Sequence, residues 1–234
     1  MHTWREKRLG IQKCWYNNWF AEGGSFSGKG NQWAVRMTGL PIWRDEGARL
    51  LHVGISARYQ EDEDGFLRYR GRPGSHVTDY YVDSGEFETD YALSLGLEAL
   101  WQGDGLTILG EYVKAWVAAD NFGNPRFNGY YVTASYLFNG ELRPYGKMLR
   151  YSRRVRPAGG WGALEPFVRF GRVDLDDTEI KGGSMEKWYV GLNWWATRRW
   201  KMSVGYGDIE LDPVSYTHLT LPTNVSMCRC GGGG

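Results

Sequence analysis

Residues 91–101 read YALSLGLEALW, with Tyr91, Leu93, Leu95, Leu97, Ala99 and Trp101 on one parity and Ala92, Ser94, Gly96, Glu98 and Leu100 on the other. Successive side chains of a strand point to opposite faces, so this stretch has one apolar and one mixed face; a helix would scatter both sets around its circumference. Working outward, Trp188, Val190, Leu192 and Trp194 alternate with Tyr189, Gly191, Asn193 and Trp195. Trp200, Met202, Val204 and Tyr206 alternate with Lys201, Ser203, Gly205 and Gly207. The pattern recurs about nine times and predicts strands over residues 8–19, 32–40, 49–60, 90–101, 106–117, 128–138, 161–175, 186–195 and 200–209.

At 234 residues the chain is long enough for one large all-β domain, and no second domain is needed. The 33 glycines, 12 tryptophans and 15% aromatic content suit tight turns and rings anchored at a lipid boundary. A mean hydropathy of -0.51 is compatible with membrane strands, which offer only every other residue to lipid. No apolar run is long enough for a spanning helix. The net charge of +1 selects no partner. Cys14 stands apart from Cys228 and Cys230 and reads as an unremarkable thiol. Residues 1–8 lack the apolar core of an export signal, so either the protein is not exported or its beginning is missing.

The connections alternate in length. Shorter ones (residues 41–48, 102–105 and 196–199) face longer polar ones (residues 20–31, 61–89, 118–127 and 176–185), the asymmetry of outer-membrane barrels. Residues 139–160 fall on the short side yet form a long connection, which the pattern does not explain. A soluble barrel or sandwich would alternate too. The mixed face carries Arg36, Thr38, His52, Ser56, Arg58, Glu98, Glu111, Arg169 and Lys201, while Trp19, Trp33, Trp101, Trp116, Trp188, Trp194 and Trp200 cluster near strand ends. That combination favours a polar lumen between aromatic girdles. Two residues break the pattern: Pro166 inside a strand predicts a bulge, and Lys114 on the apolar parity predicts either a snorkelling side chain or a register shift.

Seven segments carry a family resemblance: WAVRMTGLPIW (33–43), ARLLHVGISARY (48–59), YRGRPGSHVTDYYVDSGEF (69–87), LTILGEYVKAWV (106–117), FNGYYVTASYLFNGELRPY (127–145), GALEPFVRFGRVDLDD (162–177) and MEKWYVGLNWWATRRWKMSVGYGDIELD (185–212). In order and spacing they resemble the phosphate-selective porin O and P family of Gram-negative outer membranes. The resemblance implies an antiparallel transmembrane β-barrel of about 16 strands, of which this chain holds about nine and forms the C-terminal part. It further implies a water-filled, anion-preferring diffusion channel for phosphate or polyphosphate, with outer-membrane lipid around it and a homotrimer for the full-length parent. Pro166 departs from the family, which places a small apolar residue there. Residues 1–8 are a non-family start, and residues 9–212 are the partial barrel. The stretch PVSYTHLTLPTNVSMCRCGGGG (213–234) breaks composition and period, and it resembles the translation of a transposon end used to tag sequencing libraries.

Anion preference requires fixed positive charge along the path, because an ion shedding water needs donors in exchange. Arg36, Arg58, Arg169 and Lys201 stand on the mixed parity as candidates, with His52 as a neutral hydrogen-bonding member. Taken singly, such a residue is more often an ordinary water-facing lumen residue than a phosphate ligand, since lumen Arg and Glu commonly pair with each other. Residues 61–89 carry Arg68, Arg70, Arg72 and His76. Residues 139–160 carry Arg143, Lys147, Arg150, Arg153, Arg154 and Arg156 against Glu141 alone. Either cluster could collect anions at a pore mouth, and the second could equally face solvent or lipid headgroups.

A barrel enzyme of lipase or protease type would have to use His76, Asp79, Asp83 and Ser84, whose spacing specifies no triad. A structural barrel without selective transport is the other alternative. No metal spacing, cofactor motif or nucleic-acid-binding architecture appears, and GKGN at Gly28 lacks the strand-to-helix setting of a phosphate loop.

Overall fold

The computed structural model describes residues 2–4, 8–16, 31–61, 65–74, 78–138, 143–148, 150–157, 159–177, 179–212 and 224–229. Nine long strands dominate: β1 (Leu9–Tyr16), β2 (Gln32–Arg44), β3 (Arg49–Gln60), β4 (Tyr91–Gly103), β5 (Leu106–Ala118), β6 (Arg126–Tyr136), β7 (Ala163–Asp177), β8 (Ile180–Trp195) and β9 (Trp200–Asp212). They coincide with the nine segments that alternate in sequence. Each pairs antiparallel with the next in chain order. His2–Trp4 pairs with β1 and Asn224–Arg229 with β9, so the sheet has eleven strands and is open. Between β4 and β5 the turn is Asp104–Gly105, both with positive φ (51° and 83°), the two-residue hairpin that Asp-Gly favours because its twist matches the strands.

Register follows the two-residue period. Leu97 lies opposite Ile55 and Tyr112, and Glu98 lies opposite Gly54 and Glu111, so one row is wholly apolar and its neighbour polar. A slip of one residue would turn every apolar side chain to the other face, which is why the pattern fixes the pairing. The apolar face is the exposed one: Leu97 is 52% accessible, Val190 51% and Ile55 46%. Tyr91, Trp101, Trp188, Trp194 and Trp200 are exposed on the same face. The inner face is covered instead, by the two long connections.

Residues 65–89 fold onto the inner face. Leu67, Val82 and Phe87 pack with Ala92, Val117, Phe127, Leu175 and Met185 in one buried cluster. Residues 143–157 do the same at the opposite end of the strands, where Val155 joins Leu137, Ala163 and Trp195. The inner face is polar in its middle, while beneath the two inserted segments the inner parity is apolar and serves as the floor of a small core. Each inserted segment pairs with itself in short antiparallel bridges, Phe66–Leu67 with Phe87–Glu88, Arg70–Gly71 with Val82–Asp83, and Tyr145–Gly146 with Tyr151–Ser152.

Two expectations are corrected. Pro166 makes no bulge, since it pairs in register with Leu192. The β6–β7 ladder stops at Ser135 and Phe167, so the missing N–H of Pro166 falls beyond the last paired residue and breaks nothing. Nor do residues 176–185 form a long loop. Asp176 pairs with Lys181 and Asp177 with Ile180, after a register shift between Asp174 and Asp176. The register shift and the run Asp176, Asp177, Gly182 and Gly183 interrupt the two-residue period there, so the buried Leu175 and Ile180 give no continuous strand signal. Lys114 keeps its register opposite Leu95 and Asn128, and its Nζ lies 5.5 Å from the Trp116 ring centre, the snorkelling alternative.

Candidate functional site

The inner face gathers three groups of polar side chains. The first crosses β2, β3 and β4. Arg36 grips Glu98 with Nε at 3.0 and 3.1 Å and Nη2 at 2.6 Å, while its Nη1 donates to Gln12 at 3.0 Å. The Glu98 carboxylate also meets His52 Nε2 at 2.8 Å, and His52 Nδ1 meets the Tyr145 hydroxyl at 2.7 Å. Gly54 makes room for this arrangement, since a Cβ there would collide with the Glu98 carboxylate. Arg150 arrives from the inserted hairpin, its carbonyl accepting from Arg36 and its Nη1 donating to the carbonyl of Arg8. Its side chain is 1% exposed, and its Nε and Nη2 have no partner among the described residues. Burial pushes the Tyr145 hydroxyl up to about 12, so it remains a donor at neutral pH, and burial lowers the Arg150 guanidinium from its ordinary value without discharging it.

The second group lines a cavity of about 530 Å³ between the tip of the 65–89 insertion and strands β5 to β8. Arg169 lies 3.9 Å over the Tyr131 ring. Lys187 Nζ donates to the Arg72 carbonyl at 3.3 Å, and the Tyr189 hydroxyl donates to the Pro73 carbonyl, so two wall residues pin the insertion. Glu111, opposite Tyr131 in register, is the carboxylate on this wall. Three cations line the cavity: Arg172 is paired with Glu186 and Asp174, whereas among the described residues Arg169 and Lys187 have no ion-paired carboxylate, which leaves these two against Glu111.

The third group surrounds Trp195. Arg143, Arg154 and Lys201 place their charges 5.5, 5.5 and 5.0 Å from its ring centre. Buried Glu165 accepts from Ser135 at 2.9 Å, Asn193 at 3.2 Å, Trp195 at 2.8 Å and Arg143, so its four contacts satisfy a carboxylate otherwise expensive to bury. Nε and Nη2 of Arg154 are buried and without a hydrogen-bond partner among the described residues.

All five pathway candidates from the sequence lie on the inner parity, in different settings. Arg36 and His52 are tied into the Glu98 network, Arg58 is exposed and donates to Gln32 at 2.5 Å, Arg169 faces the cavity, and Lys201 flanks Trp195. Arg68 is bound to Asp83, and Arg70 and Arg72 sandwich the Tyr80 ring at 4.2 and 4.3 Å. Hydrogen bonding to Arg68 holds the Asp83 carboxyl below its ordinary value. Arg153 and Arg156 are exposed, whereas Arg150 and Arg154 reach inward. The sequence reading missed Tyr131, Lys187, Tyr189, Glu165 and Tyr145. Tyr189 and Trp195, large rings on the polar parity of β8, were the available signal.

Of the enzyme candidates, Asp83 is held by Arg68, and the Ser84 hydroxyl donates to the Gly85 carbonyl and accepts from the Tyr69 amide. His76, Trp19, His218, residues 28–30 of GKGN and the bulk of the 213–234 stretch lie outside the described residues.

The sequence family described as phosphate-selective porin O and P matches residues 11–215. The chain is also similar to an uncharacterized protein of Caulobacter vibrioides, 26% identical over 235 residues, covering 88% of this chain and 46% of that one. A second relative is Porin O of Pseudomonas aeruginosa, 24% identical over 203 residues, covering 73% of this chain and 46% of that one. The chain spans about half the length of the curated relatives it matches.

Proposed function

This chain belongs to the phosphate-selective porin O and P family, and from that premise we propose that it forms part of the wall of a water-filled, anion-preferring channel in the outer membrane of a Gram-negative bacterium. The open sheet is read as one portion of a barrel of about 16 strands, a width that leaves an aqueous bore, with residues 9–212 as the wall-forming unit. The observation that carries the reading is the division of faces: an exposed apolar surface with aromatic ends outside, and inside a cavity where Arg169 and Lys187 outnumber Glu111. A low-dielectric wall concentrates the field of those cations on the path, raising the local anion concentration. Phosphate or polyphosphate is the proposed cargo, lipid the proposed surroundings and a homotrimer the proposed assembly. Enzyme chemistry has no comparable support, because the Ser84 hydroxyl and the Asp83 carboxylate are engaged in holding their own loop.

The test is the reversal potential of the protein in planar bilayers under a KCl gradient. A potential of the sign set by chloride is expected, and one of the sign set by potassium rejects the proposal. Inorganic phosphate added to one side should then reduce chloride current if the cations of the inner face recognise it.

A further inference from the structure

Glu98 and Glu111 lie directly opposite each other on β4 and β5, yet Arg36 and His52 both turn to Glu98. Among the described residues Glu111 has no ion-paired cation, and the group that turns to it is neutral, the Tyr131 hydroxyl on β6. The same register row continues from Tyr131 to Gly171 on β7 and Lys187 on β8. Gly171 has no side chain, so the row opens there into the cavity of about 530 Å³. Arg169, on the same face of β7, lays its guanidinium 3.9 Å over the Tyr131 ring. Two unpaired cations and an unanswered carboxylate therefore border one space.

A carboxylate in such a place repels an anion unless a proton lies between them. An ionised carboxylate only accepts hydrogen bonds, and inorganic phosphate at neutral pH keeps at least one P–OH to donate, with its other oxygens left for cations. Sulfate is fully deprotonated at that pH. Its electron pairs would face those of Glu111 with no hydrogen bond to offset the repulsion. We propose that Glu111 is the specificity-determining residue of this cavity: it accepts the P–OH of hydrogen phosphate while Arg169 and Lys187 donate to the remaining oxygens, so that protonated oxyanions are taken in preference to sulfate. The proposal rests on reading the cavity as part of the anion path, and adds which anion is retained there. Glu111 and Lys187 stand on strands three places apart, about 14 Å between backbones, a gap that a glutamate arm, a lysine arm and one tetrahedral oxyanion close together. One of the three Lys187 donors goes to the Arg72 carbonyl, which leaves two for an anion. Arg172 is held by Glu186 and Asp174 and takes no part. A carboxylate that merely balanced charge would weaken phosphate and sulfate alike, whereas an accepting one weakens sulfate alone.

Calorimetric titration of the protein in detergent micelles, at neutral pH and constant ionic strength, with sodium phosphate, arsenate and sulfate in turn, reads the preference without reference to ion flow. Phosphate is expected to bind at least about tenfold more tightly than sulfate, and arsenate, which keeps an As–OH, to follow phosphate. Glu111→Gln is close in shape and puts a donating amide beside the anion, so sulfate binding should rise and the ratio of affinities fall to within about twofold of unity. Arg169→Gln should weaken both anions and keep their ratio within about twofold of wild type. Equal wild-type affinities for phosphate and sulfate, no measurable binding of phosphate, arsenate that follows sulfate, a preference that survives Glu111→Gln, or a ratio that falls equally in the two variants overturns the inference. A chloride-selective channel that fails this comparison sinks the inference alone, and the expected preference in a protein whose current is carried by potassium sinks the channel reading alone.

Discussion

Leu97 is the position at which the orientation of the sheet can be broken. It is 52% exposed, in a row with Ile55 and Tyr112 that are also exposed, and it sits between Tyr91 and Trp101 on the same face of β4. At about 3.3 Å per residue and a tilt of about 40°, the stretch from Tyr91 to Trp101 rises about 25 Å, the height of the apolar band of outer-membrane barrels. Leu97 then lies near its middle and the two rings at its margins. Leu97→Arg is expected to cost about 2–4 kcal/mol, whereas Tyr91→Arg and Trp101→Arg are expected to cost about 0–1 kcal/mol. Leu97→Ala is the discriminating variant. Against lipid, acyl chains fill the space left by the side chain, and the loss is about 1 kcal/mol for the reduced apolar contact. In a dry protein core the same truncation would leave a cavity and cost about 2–5 kcal/mol. The measurement is guanidinium unfolding of the protein in phospholipid vesicles, followed by tryptophan fluorescence. A Leu97→Ala loss above about 3 kcal/mol, or an arginine cost equal at Tyr91 and Leu97, refutes the outward orientation and with it the channel.

Glu165→Gln should destabilise the protein by about 3 kcal/mol, because it leaves Arg143 beside a neutral group in a largely desolvated site, and the same unfolding assay measures it. Joint replacement of Arg169 and Lys187 by glutamate should abolish or invert the anion preference in bilayers, while exchange of either residue for a neutral one should reduce it several-fold. The Asp83 carboxyl is depressed in the folded loop by Arg68, so its stabilising effect is present above the unfolded value of about 3.9 and is lost as pH falls through the lower folded value. Exchange protection of residues 65–89 should therefore drop below about pH 4, and Asp83→Asn should show the lower protection at neutral pH already.

What the sequence disclosed was whatever repeats every two residues. Leu93, Leu95 and Leu97 on one parity and Ser94, Gly96 and Glu98 on the other give strand, register and face, because pairing and burial act on the same alternation. Glu98 and Arg36 are therefore legible as inner-face residues from the sequence alone. Their bond to each other is not, since it depends on which strand lies two places away. Pro166 was misjudged for a similar reason: its harm depends on whether a neighbour reaches that point of the ladder, and β6 ends one pair short. The hairpin from Asp174 to Ser184 escapes the pattern because a register shift and paired glycines break the alternation around the buried Leu175 and Ile180.

The inserted segments are the least legible part, and they decide how the inner face is covered. Residues 139–160 looked like a basic surface loop, with six cations against Glu141. Three of those cations find their places only in three dimensions: Arg143 against Glu165, Arg154 against Trp195 and Arg150 beneath Gly10 and Thr38. The partners come from β7, β8, β1 and β2, remote in the chain, so no local spacing could reveal them. The physical demand was nonetheless present in the strands. Glu165, Asn193 and Trp195 stand together on a face that would otherwise bury a bare carboxylate, and such a site requires a cation from outside the sheet. A wall that carries a buried acid and an indole at one end, and Val117, Phe127 and Met185 at the other, is built to be covered at both ends. The middle of the inner face, around Arg169 and Lys187, keeps the cavity.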